Sequence, residues 1–364
     1  MNSTAITTVD LKAISHNLNL IRQLMPKLKI LAMVKSNGYG HGLIHIANAM
    51  PTVDALGVAT LAEALQLREA GVDRDIVVMR GFITADEMAV FLNDNRIIAC
   101  IHDSNQLLLL DNNQSMRNKK LRIWLKIDTG MHRLGISQQN LQSVYHKLNS
   151  FPFIQKPFVV CSHLADADNT NHSFTDQQIN NFEKLTKNMS NEKSLLNSAG
   201  ILAYPHAHYD WVRPGLMLYG VSPFQTNDPH NALMKKFIPA MTLTSKLIAI
   251  KAVNKGEKIG YSCTFTASCD MKIGIVGMGY GDSYPRSAKN GTPVLIRGHR
   301  CPIVGRVSMD VITVDVSHLP DVAVDDTVTL WGPDLSVAEI AQCVDTVPHE
   351  LLCHLTGRVV RVYM

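Results

Sequence analysis

The first two-thirds of the chain alternate between two hydrophobic patterns. From Leu11 to Met25 the apolar residues recur every three or four positions, which predicts an amphipathic helix that Pro26 ends. Beyond it, short apolar runs alternate with stretches of helical periodicity. The apolar runs predict strands at 29–35, 54–59, 75–79, 97–101, 121–127, 157–163, 194–198 and 208–213. The periodic stretches predict helices at 61–70, 84–94, 104–113, 137–149 and 175–190.

This alternation of strands and helices predicts the fold class. Strands joined through helices pair in parallel by right-handed crossovers. Eight such units fit a (β/α)8 barrel, or TIM barrel, whose usual length is about 250 residues. A doubly wound open sheet is the structural alternative at this stage.

The pattern changes near residue 236. From Met241 onward, short strand-like runs are separated by turn signals such as Asn290-Gly291 and Gly332-Pro333, with one helix predicted at about 336–344. We therefore expect an α/β domain followed by a β domain. The predicted barrel covers residues 1–236, although its first few residues could pack with the second domain. The predicted mostly-β domain covers residues 237–364.

Composition excludes several classes of protein. Hydrophobic residues make up 46% of the chain and charged residues 18%, which excludes wholesale disorder. We find no run of 18 apolar residues and no signal-peptide pattern, so we expect no membrane span and no export. The net charge of +4 is dispersed, which argues against a nucleic-acid partner.

The cysteines and histidines indicate neither a disulfide framework nor a metal site. The seven cysteines are odd in number and include no C-x-x-C, so we expect free thiols in a reducing cytoplasm. The fifteen histidines show no H-E-x-x-H spacing, so we expect no bound metal.

Chemistry in a barrel collects at the carboxyl ends of its strands. The first predicted strand ends at Lys35, directly after the apolar run 30–34, and a turn with Gly38, Gly40 and Gly42 follows. A lysine at a strand end often only snorkels to the surface. A buried one has a lowered pKa, and its amine can then form a Schiff base. The glycines favour the chemical interpretation because they let the backbone approach a ligand closely.

A second candidate site follows the last predicted strand. Pro214 at the start of a short helix would leave the N–H groups of Gly215 and Leu216 pointing outward, and Ser198 could add a hydroxyl. Phosphate sites recur at this place in barrels. A phosphate site and a reactive lysine on one barrel face suggest pyridoxal 5'-phosphate as the cofactor. The alternative is a plain turn with a structural arginine.

Several motifs closely resemble those of bacterial alanine racemases. AMVKSNGYGHG resembles the lysine motif that binds pyridoxal phosphate in that family. Further matches follow in the same order and spacing: KIDTGMHRLG, NSAG, RPGLMLYG, the Gly260-Tyr261 run, GYGDSYPR, GRVSMD and RVVRVY. The resemblance covers essentially the whole chain. It implies a fold-type III enzyme that binds pyridoxal phosphate and forms a homodimer, in which the β domain of one subunit completes the active site of the other.

The resemblance also implies roles for individual residues. Lys35 would hold the cofactor covalently and act on the D-isomer, and Tyr261 from the other subunit would act on the L-isomer. Arg213 would face the pyridine nitrogen, and His163 would link Arg213 to Tyr261. The implied cofactor-binding residues are Lys35, Tyr39, Arg133, His163, Asn197, Ser198, Arg213, Gly215, Leu216 and His349.

A second group of residues is implied for the substrate. Arg133, the Met309 N–H and Asp310 would bind it, and Lys126 matches a lysine that is often carbamylated and then pairs with Arg133. The substrate entrance would be formed by Asp168, Tyr280, Arg286 and Arg306. One position departs from the family, which usually has a tyrosine where this chain has His349. That departure bears on the shape of the entrance and on substrate range.

The implied activity is the interconversion of L-alanine and D-alanine, which supplies D-alanine for peptidoglycan. One alternative is a racemase of broader specificity that acts on serine or basic amino acids. Another is a pyridoxal-phosphate carrier without turnover, which would resemble the barrel alone. A decarboxylase with a barrel and a β domain would need a carboxylate at the pyridine nitrogen, so Arg213 argues against it.

Overall fold

The computed structural model describes residues 4–112, 119–225 and 227–364. Strand β1 (Ile6–Val9) comes first and lies outside the barrel. The barrel strands are β2 (Lys29–Met33), β3 (Ala55–Val58), β4 (Ile76–Val78), β5 (Ile97–Ile101), β6 (Ile123–Lys126), β7 (Val159–Cys161), β8 (Lys193–Ser194) and β9 (Trp211–Val212). Each strand is parallel to the next, and β9 returns to β2 to close the ring. The predicted barrel is confirmed, and the open sheet is ruled out.

Helices connect the barrel strands and decorate the second domain. They are α1 (Leu11–Leu24), α2 (Lys35–Tyr39), α3 (Leu43–Asn48), α4 (Leu61–Glu69), α5 (Ala85–Asn93), α6 (Ser104–Asn112), α7 (Leu141–Ser150), α8 (Phe174–Thr186), α9 (Ser198–Ala203), α10 (Asn231–Met234), α11 (Val337–Cys343) and α12 (Pro348–Cys353). Short 3-10 turns lie at Pro205–Ala207, Leu216–Tyr219, Tyr261–Cys263 and Tyr280–Asp282.

Polar caps explain where the first barrel helices begin. The Asp10 carboxylate accepts the N–H groups of Lys12 and Ala13 at 2.8 and 3.0 Å, which starts α1. Thr60 and Glu63 form a capping box at the start of α4. Both caps satisfy backbone donors that the first helical turn leaves without partners.

Most strands are shorter than their apolar runs predict. The apolar run 157–163 contains only the three-residue strand β7, and the run 208–213 contains only the two-residue strand β9. The run 194–198 shares a single residue with the two-residue strand β8. Helices α3, α9 and α12 were not predicted, because each is a few residues long and offers too little periodicity. The last residue of the helix predicted at 104–113 lies outside the described residues.

The second domain is built around one long strand, β10 (Met241–Val253), as the β-domain prediction requires. The remaining strands are β11 (Lys258–Ile259), β12 (Phe265–Thr266), β13 (Met271–Val276), β14 (Pro293–Ile296), β15 (His299–Pro302), β16 (Ile312–Asp315), β17 (Thr327–Trp331) and β18 (Val360–Tyr363). Strand β10 pairs with β1, β13 and β17, and β1 also pairs in parallel with β18. The N-terminal strand therefore belongs to the sheet of the second domain.

Two further findings concern the sequence expectations. All seven cysteines are free thiols, as expected. No helix within the described ranges is both long enough and apolar enough to span a bilayer.

Candidate active site

A cavity of about 460 Å³ opens at the carboxyl ends of the barrel strands. Lys35 lies just beyond β2, Lys126 ends β6, and Arg213 directly follows β9. Three separate strands therefore direct basic side chains into the cavity. Among the described residues, Asp168 is the only acidic one that lines the cavity. The predicted site residues brought together here are Lys35, Tyr39, Lys126, Arg133, His163, Asp168, Asn197, Ser198, Arg213, Gly215, Leu216 and His349. The cavity therefore suits an anionic ligand.

The turn after Lys35 has an unusual backbone. Residues 36–39 all have φ between +50° and +61°, so they form one left-handed turn. Three of them carry side chains, and each such residue costs roughly 1–2 kcal/mol in this conformation. Backbone strain of this kind persists only where surrounding contacts hold it, and it is frequent at functional sites.

Two charged side chains from outside the turn hold its backbone. Glu63 Oε1 accepts the N–H of Ser36 at 2.6 Å. From the other side, the Nε–H of Arg361 donates to the carbonyl of Gly40 at 2.9 Å. Side chains from helix α4 and the C-terminal strand β18 therefore fix the backbone of the turn, and with it the position of Lys35 at the start of the turn.

The surroundings of Lys35 favour its uncharged amine. Burial lowers the pKa of Lys35, and the nearby positive charges of Arg133 and Lys126 lower it further. An uncharged amine is the nucleophilic form of lysine and also the form that can accept a proton. The cavity thus shifts Lys35 toward the uncharged amine, which its implied role as a nucleophile and base needs.

Arg213 is buried, and its guanidinium donates several hydrogen bonds. Its guanidinium donates to Ser194 Oγ at 2.7 Å, to the carbonyls of Ser162 and Leu195 at 2.5 and 2.9 Å, and to His163 Nδ1 at 3.4 Å. Since arginine only donates, His163 Nδ1 accepts, and the His163 proton lies on Nε2. Burial, then Arg213, holds the pKa of His163 well below its usual range, so the ring is neutral.

A polar cradle lies beside these residues. Ser198 Oγ accepts the N–H groups of Gly215 and Met217 at 2.9 and 3.3 Å, which leaves its own proton free to donate. A Cβ added at Gly215 would lie 2.6 Å from Tyr39 Oη, so only glycine lets the backbone pass this close to the phenol. The Gly215 N–H, expected to point outward, is instead bonded to Ser198.

Two more predicted residues complete the cradle wall. The Asn197 side chain caps α9 by accepting the Gly200 N–H at 3.0 Å, and this capping positions Ser198 in the first turn. His349 in α12 places its ring 5.7 Å from the ring of Tyr39. Burial, and then Lys35, lowers the pKa of His349, so a neutral imidazole faces the cavity where the family usually has a tyrosine.

Lys126 lies deeper in the barrel. It is 6% exposed, and burial lowers its pKa, although Cys100 and Cys161 oppose this effect. Arg213 and Arg133 lower it further. These surroundings shift Lys126 toward its neutral form, and the positive charges of Arg213 and Arg133 would stabilise a negative charge at the same position.

The cavity also contains residues that the sequence analysis did not single out. They are Met33, Ala59, Met79, Arg80, Leu134, Ala199, Pro223, Val347 and Pro348. Arg80 lies two residues beyond β4, so the rule that led to Lys35 and Arg213 could have found it. Glu63 could have been found from the Thr60–Glu63 capping-box spacing, although only the structure shows that it also binds Ser36.

The predicted β-domain residues do not reach the cavity of their own chain. The residues concerned are Tyr261, Tyr280, Arg286, Arg306, Met309 and Asp310. Tyr261 is 67% exposed and Met309 is 53% exposed. The backbone N–H groups of Tyr280 and Gly281 donate to the carbonyls of Ser308 and Met309, so these two segments lie side by side. Arg286 and Arg306 line a separate cavity of about 460 Å³ on the same domain. Asp310 is paired with Arg358 at 2.8 Å.

Comparison with known protein families matches both domains. The family model for the alanine racemase N-terminal domain covers residues 9–223, and that for the C-terminal domain covers residues 240–363. The chain belongs to the alanine racemase family. Alanine racemases are isomerases, and their relationship to this chain extends over nearly its full length.

Curated alanine racemases are similar to the chain from end to end. The protein named alanine racemase from Coxiella burnetii is 48% identical over 357 residues, covering 98% of this chain and 97% of its own. The one from Vibrio atlanticus is 43% identical over 362 residues, covering 99% of both chains. These identities make the family assignment independent of any single motif.

Solved alanine racemase structures have the same fold. The biosynthetic alanine racemase from Pseudomonas aeruginosa superposes with a TM-score of 0.94 at 39% identity, and both chains are covered completely. The alanine racemase from Bartonella henselae with covalently bound pyridoxal phosphate gives a TM-score of 0.91 at 29% identity, again with complete coverage.

Proposed function

We propose that this alanine racemase family member interconverts L-alanine and D-alanine with pyridoxal 5'-phosphate, as a homodimer with shared active sites. Its product would supply D-alanine for peptidoglycan, and the free cysteines favour a reducing cytoplasm. One observation carries the proposal. A lysine with a lowered pKa lies in the same cavity as a cradle of hydroxyl groups and a buried arginine.

The residues of the cavity fit pyridoxal phosphate. The cradle of Tyr39, Ser198 and Gly215 offers hydroxyl donors at a place where a Cβ would intrude, which suits a phosphate group. Arg213 lines the same cavity, and its guanidinium offers a donor to a ring nitrogen. Bound at Lys35, this cofactor would supply an electron sink that acidifies the α C–H bond of an attached amino acid.

Two bases on opposite faces are the simplest way to invert the α-carbon. Lys35 Nζ would remove the α-proton on one face, or return it there, because burial favours its uncharged form. The other base would be Tyr261 of the partner subunit. Tyr261 is exposed and does not line the cavity of its own chain, so it can reach a substrate only in another copy.

Arg213 and His163 would set the electrostatics around these bases. Arg213 has no acceptor and stays charged, so it can donate to a ring nitrogen but cannot accept a proton from it. The His163 Nε2–H is free to donate, because Nδ1 accepts from Arg213. A donor at that position would stabilise the phenolate of an incoming tyrosine.

The remaining predicted residues would bind the substrate carboxylate. Arg133 lines the cavity, and the Met309 N–H and Asp310 would enter from the partner domain. Lys126 would carry a carbamate, which forms when its neutral amine adds carbon dioxide and loses a proton. The lowered pKa of Lys126 and its two arginine neighbours favour that product.

A chiral product assay tests the proposed function. Purified holoenzyme would be incubated separately with L-alanine, L-serine and L-lysine, and the D-enantiomers quantified by chiral chromatography. We expect rapid D-alanine formation that is lost in Lys35→Ala. Preferential turnover of serine or lysine would indicate a broader racemase, with His349 as the first residue to change. Bound cofactor without any D-product would favour the carrier.

A further inference from the structure

Two residues that line one small cavity between the barrel and the β domain each carry a buried polar atom. The cavity measures about 20 Å³, and His41, Tyr219, Trp331 and Ser336 are among its lining residues. His41 is 0% exposed and Trp331 is 1% exposed. Neither His41 Nε2 nor Trp331 Nε1 has a hydrogen-bond partner within the described parts of the chain.

The two atoms are complementary. His41 Nδ1 lies 2.8 Å from the carbonyl of Tyr39, and because a carbonyl only accepts, Nδ1 carries the proton. Nε2 is then an acceptor with a free lone pair. Trp331 Nε1–H can only donate. A group that both accepts and donates would satisfy the two atoms at once.

Water has this chemistry and the right size. One buried water needs roughly 10–15 Å³ and two to four polar partners. We propose that a single water molecule in this cavity bridges His41 to Trp331, and that His41 so fixed is a positioning residue for the turn that carries Lys35 and Tyr39.

The position of His41 explains how it would act on the turn. The carbonyl it binds belongs to Tyr39, the last of the four left-handed residues. The His41 ring lies 4.6 Å from the ring of Tyr219, which stacks at 4.8 Å on Tyr39. An imidazole that is rotated, or whose proton moves from Nδ1 to Nε2, would lose the carbonyl bond and release one end of a strained backbone.

Charge supports the same arrangement. Burial lowers the pKa of His41 to about 4, against the opposing effect of the Tyr39 and Gly38 carbonyls and with a smaller lowering contribution from Arg361. The ring is therefore neutral near pH 7, where it can carry only one proton. The Tyr39 carbonyl places that proton on Nδ1, and the bridging water would donate to Nε2.

A crystal structure of the unmodified protein, at a resolution that orders buried waters, tests the bridge. We expect one density peak within about 3.2 Å of both His41 Nε2 and Trp331 Nε1. Density without such a peak would overturn the bridge. This measurement requires no mutant, and its outcome does not depend on the proposed function.

The effect of His41 on the turn is measured as affinity for pyridoxal phosphate, so this second test rests on the proposed function. Asn and Leu have nearly the same shape, but only Asn can keep a donor near the Tyr39 carbonyl. We expect His41→Leu to raise the pyridoxal-phosphate dissociation constant roughly tenfold, and His41→Asn to raise it by no more than about threefold. Trp331→Phe, which keeps an aromatic ring and loses the indole N–H, should fall between them.

Ser245→Ala is the matched control, because Ser245 Oγ is another buried atom of the β domain without a partner among the described residues. It should leave cofactor affinity unchanged. Equal affinities of His41→Leu and His41→Asn would overturn the positioning role, even if the water is present. Unmodified protein that binds no pyridoxal phosphate would instead refute the proposed function and leave the crystallographic result standing.

Discussion

Gly215 is the residue at which backbone and side chain come closest in the cradle. A substitution there tests how much space the cradle leaves for a side chain. The nearest neighbour of an added Cβ is Tyr39 Oη at 2.6 Å, and Tyr39 is held between two other rings. The phenol can therefore move aside only with difficulty.

We expect Gly215→Ala to weaken pyridoxal-phosphate binding by one to two orders of magnitude, since overpacking costs about 1–3 kcal/mol. The dissociation constant can be measured by cofactor absorbance after dialysis. Gly357→Ala is the control, because a Cβ there meets nothing within 4 Å. Equal affinities in the two variants would contradict the cradle.

His41 gives a pH prediction at the same scale. Its folded pKa of about 4 lies below the unfolded value of about 6.5, so the unfolded chain binds the proton more tightly. The stability that neutral His41 provides is therefore lost as the pH falls through this window. Between pH 7 and pH 5 the unmodified protein should lose about 2 kcal/mol more than His41→Asn. Urea unfolding at matched protein concentration measures this, and parallel pH profiles would refute it.

Tyr261 gives a stereochemical prediction. If it is the base for one enantiomer, Tyr261→Phe should slow α-proton exchange of L-alanine with deuterated solvent by roughly 100-fold or more, and that of D-alanine much less. Mass spectrometry of each enantiomer at low conversion measures the two rates. Equal losses would mean that Tyr261 and Lys35 do not divide the two faces between them.

At the scale of elements, the strand–helix alternation was enough to predict the barrel, because each apolar run overlaps a barrel strand. The left-handed turn could not be predicted in the same way. Its glycines suggested close approach to a ligand, but Ser36, Asn37 and Tyr39 share the same backbone conformation. Residues with side chains rarely adopt it alone. Contacts distant in sequence, from Glu63 and Arg361, help to hold the turn, and hydrophobic periodicity carries no information about them.

The junction between the turn and α12 depends on Gly40. Its φ is +78°, and a Cβ there would lie 1.9 Å from the carbonyl of Leu352. Gly71 has nearly the same φ, +81°, with nothing within 4 Å. Comparing alanine at the two positions separates the cost of packing from the cost of conformation.

We expect Gly71→Ala to lose about 1 kcal/mol of unfolding free energy, and Gly40→Ala to lose about 1–3 kcal/mol beyond that. Denaturant unfolding of both variants checks the difference. Similar losses would show that α12 gives way easily and does not brace the turn.

At the scale of the whole molecule, the two hydrophobic patterns predicted two domains. They could not predict where Tyr261 lies relative to Lys35. Within one chain, Lys35 lines the barrel cavity while Tyr261 is exposed on the β domain. This separation leaves two possibilities for the role of Tyr261. Either Tyr261 plays no part in the reaction, or each site is assembled from two chains.

Mixed dimers distinguish these possibilities. Lys35→Ala and Tyr261→Phe subunits, co-expressed with different tags and purified as the mixed species, should have about half of the unmodified activity per dimer, since one of the two sites then receives both intact residues. Each variant alone should be nearly inactive. Lys35→Ala paired with a subunit carrying both changes is the control, because no intact site can form. If each variant alone is nearly inactive and the mixed dimer is no more active than this control, Lys35 and Tyr261 must belong to the same chain, and the shared site is refuted. Full activity of Tyr261→Phe alone would show instead that Tyr261 plays no part in the reaction.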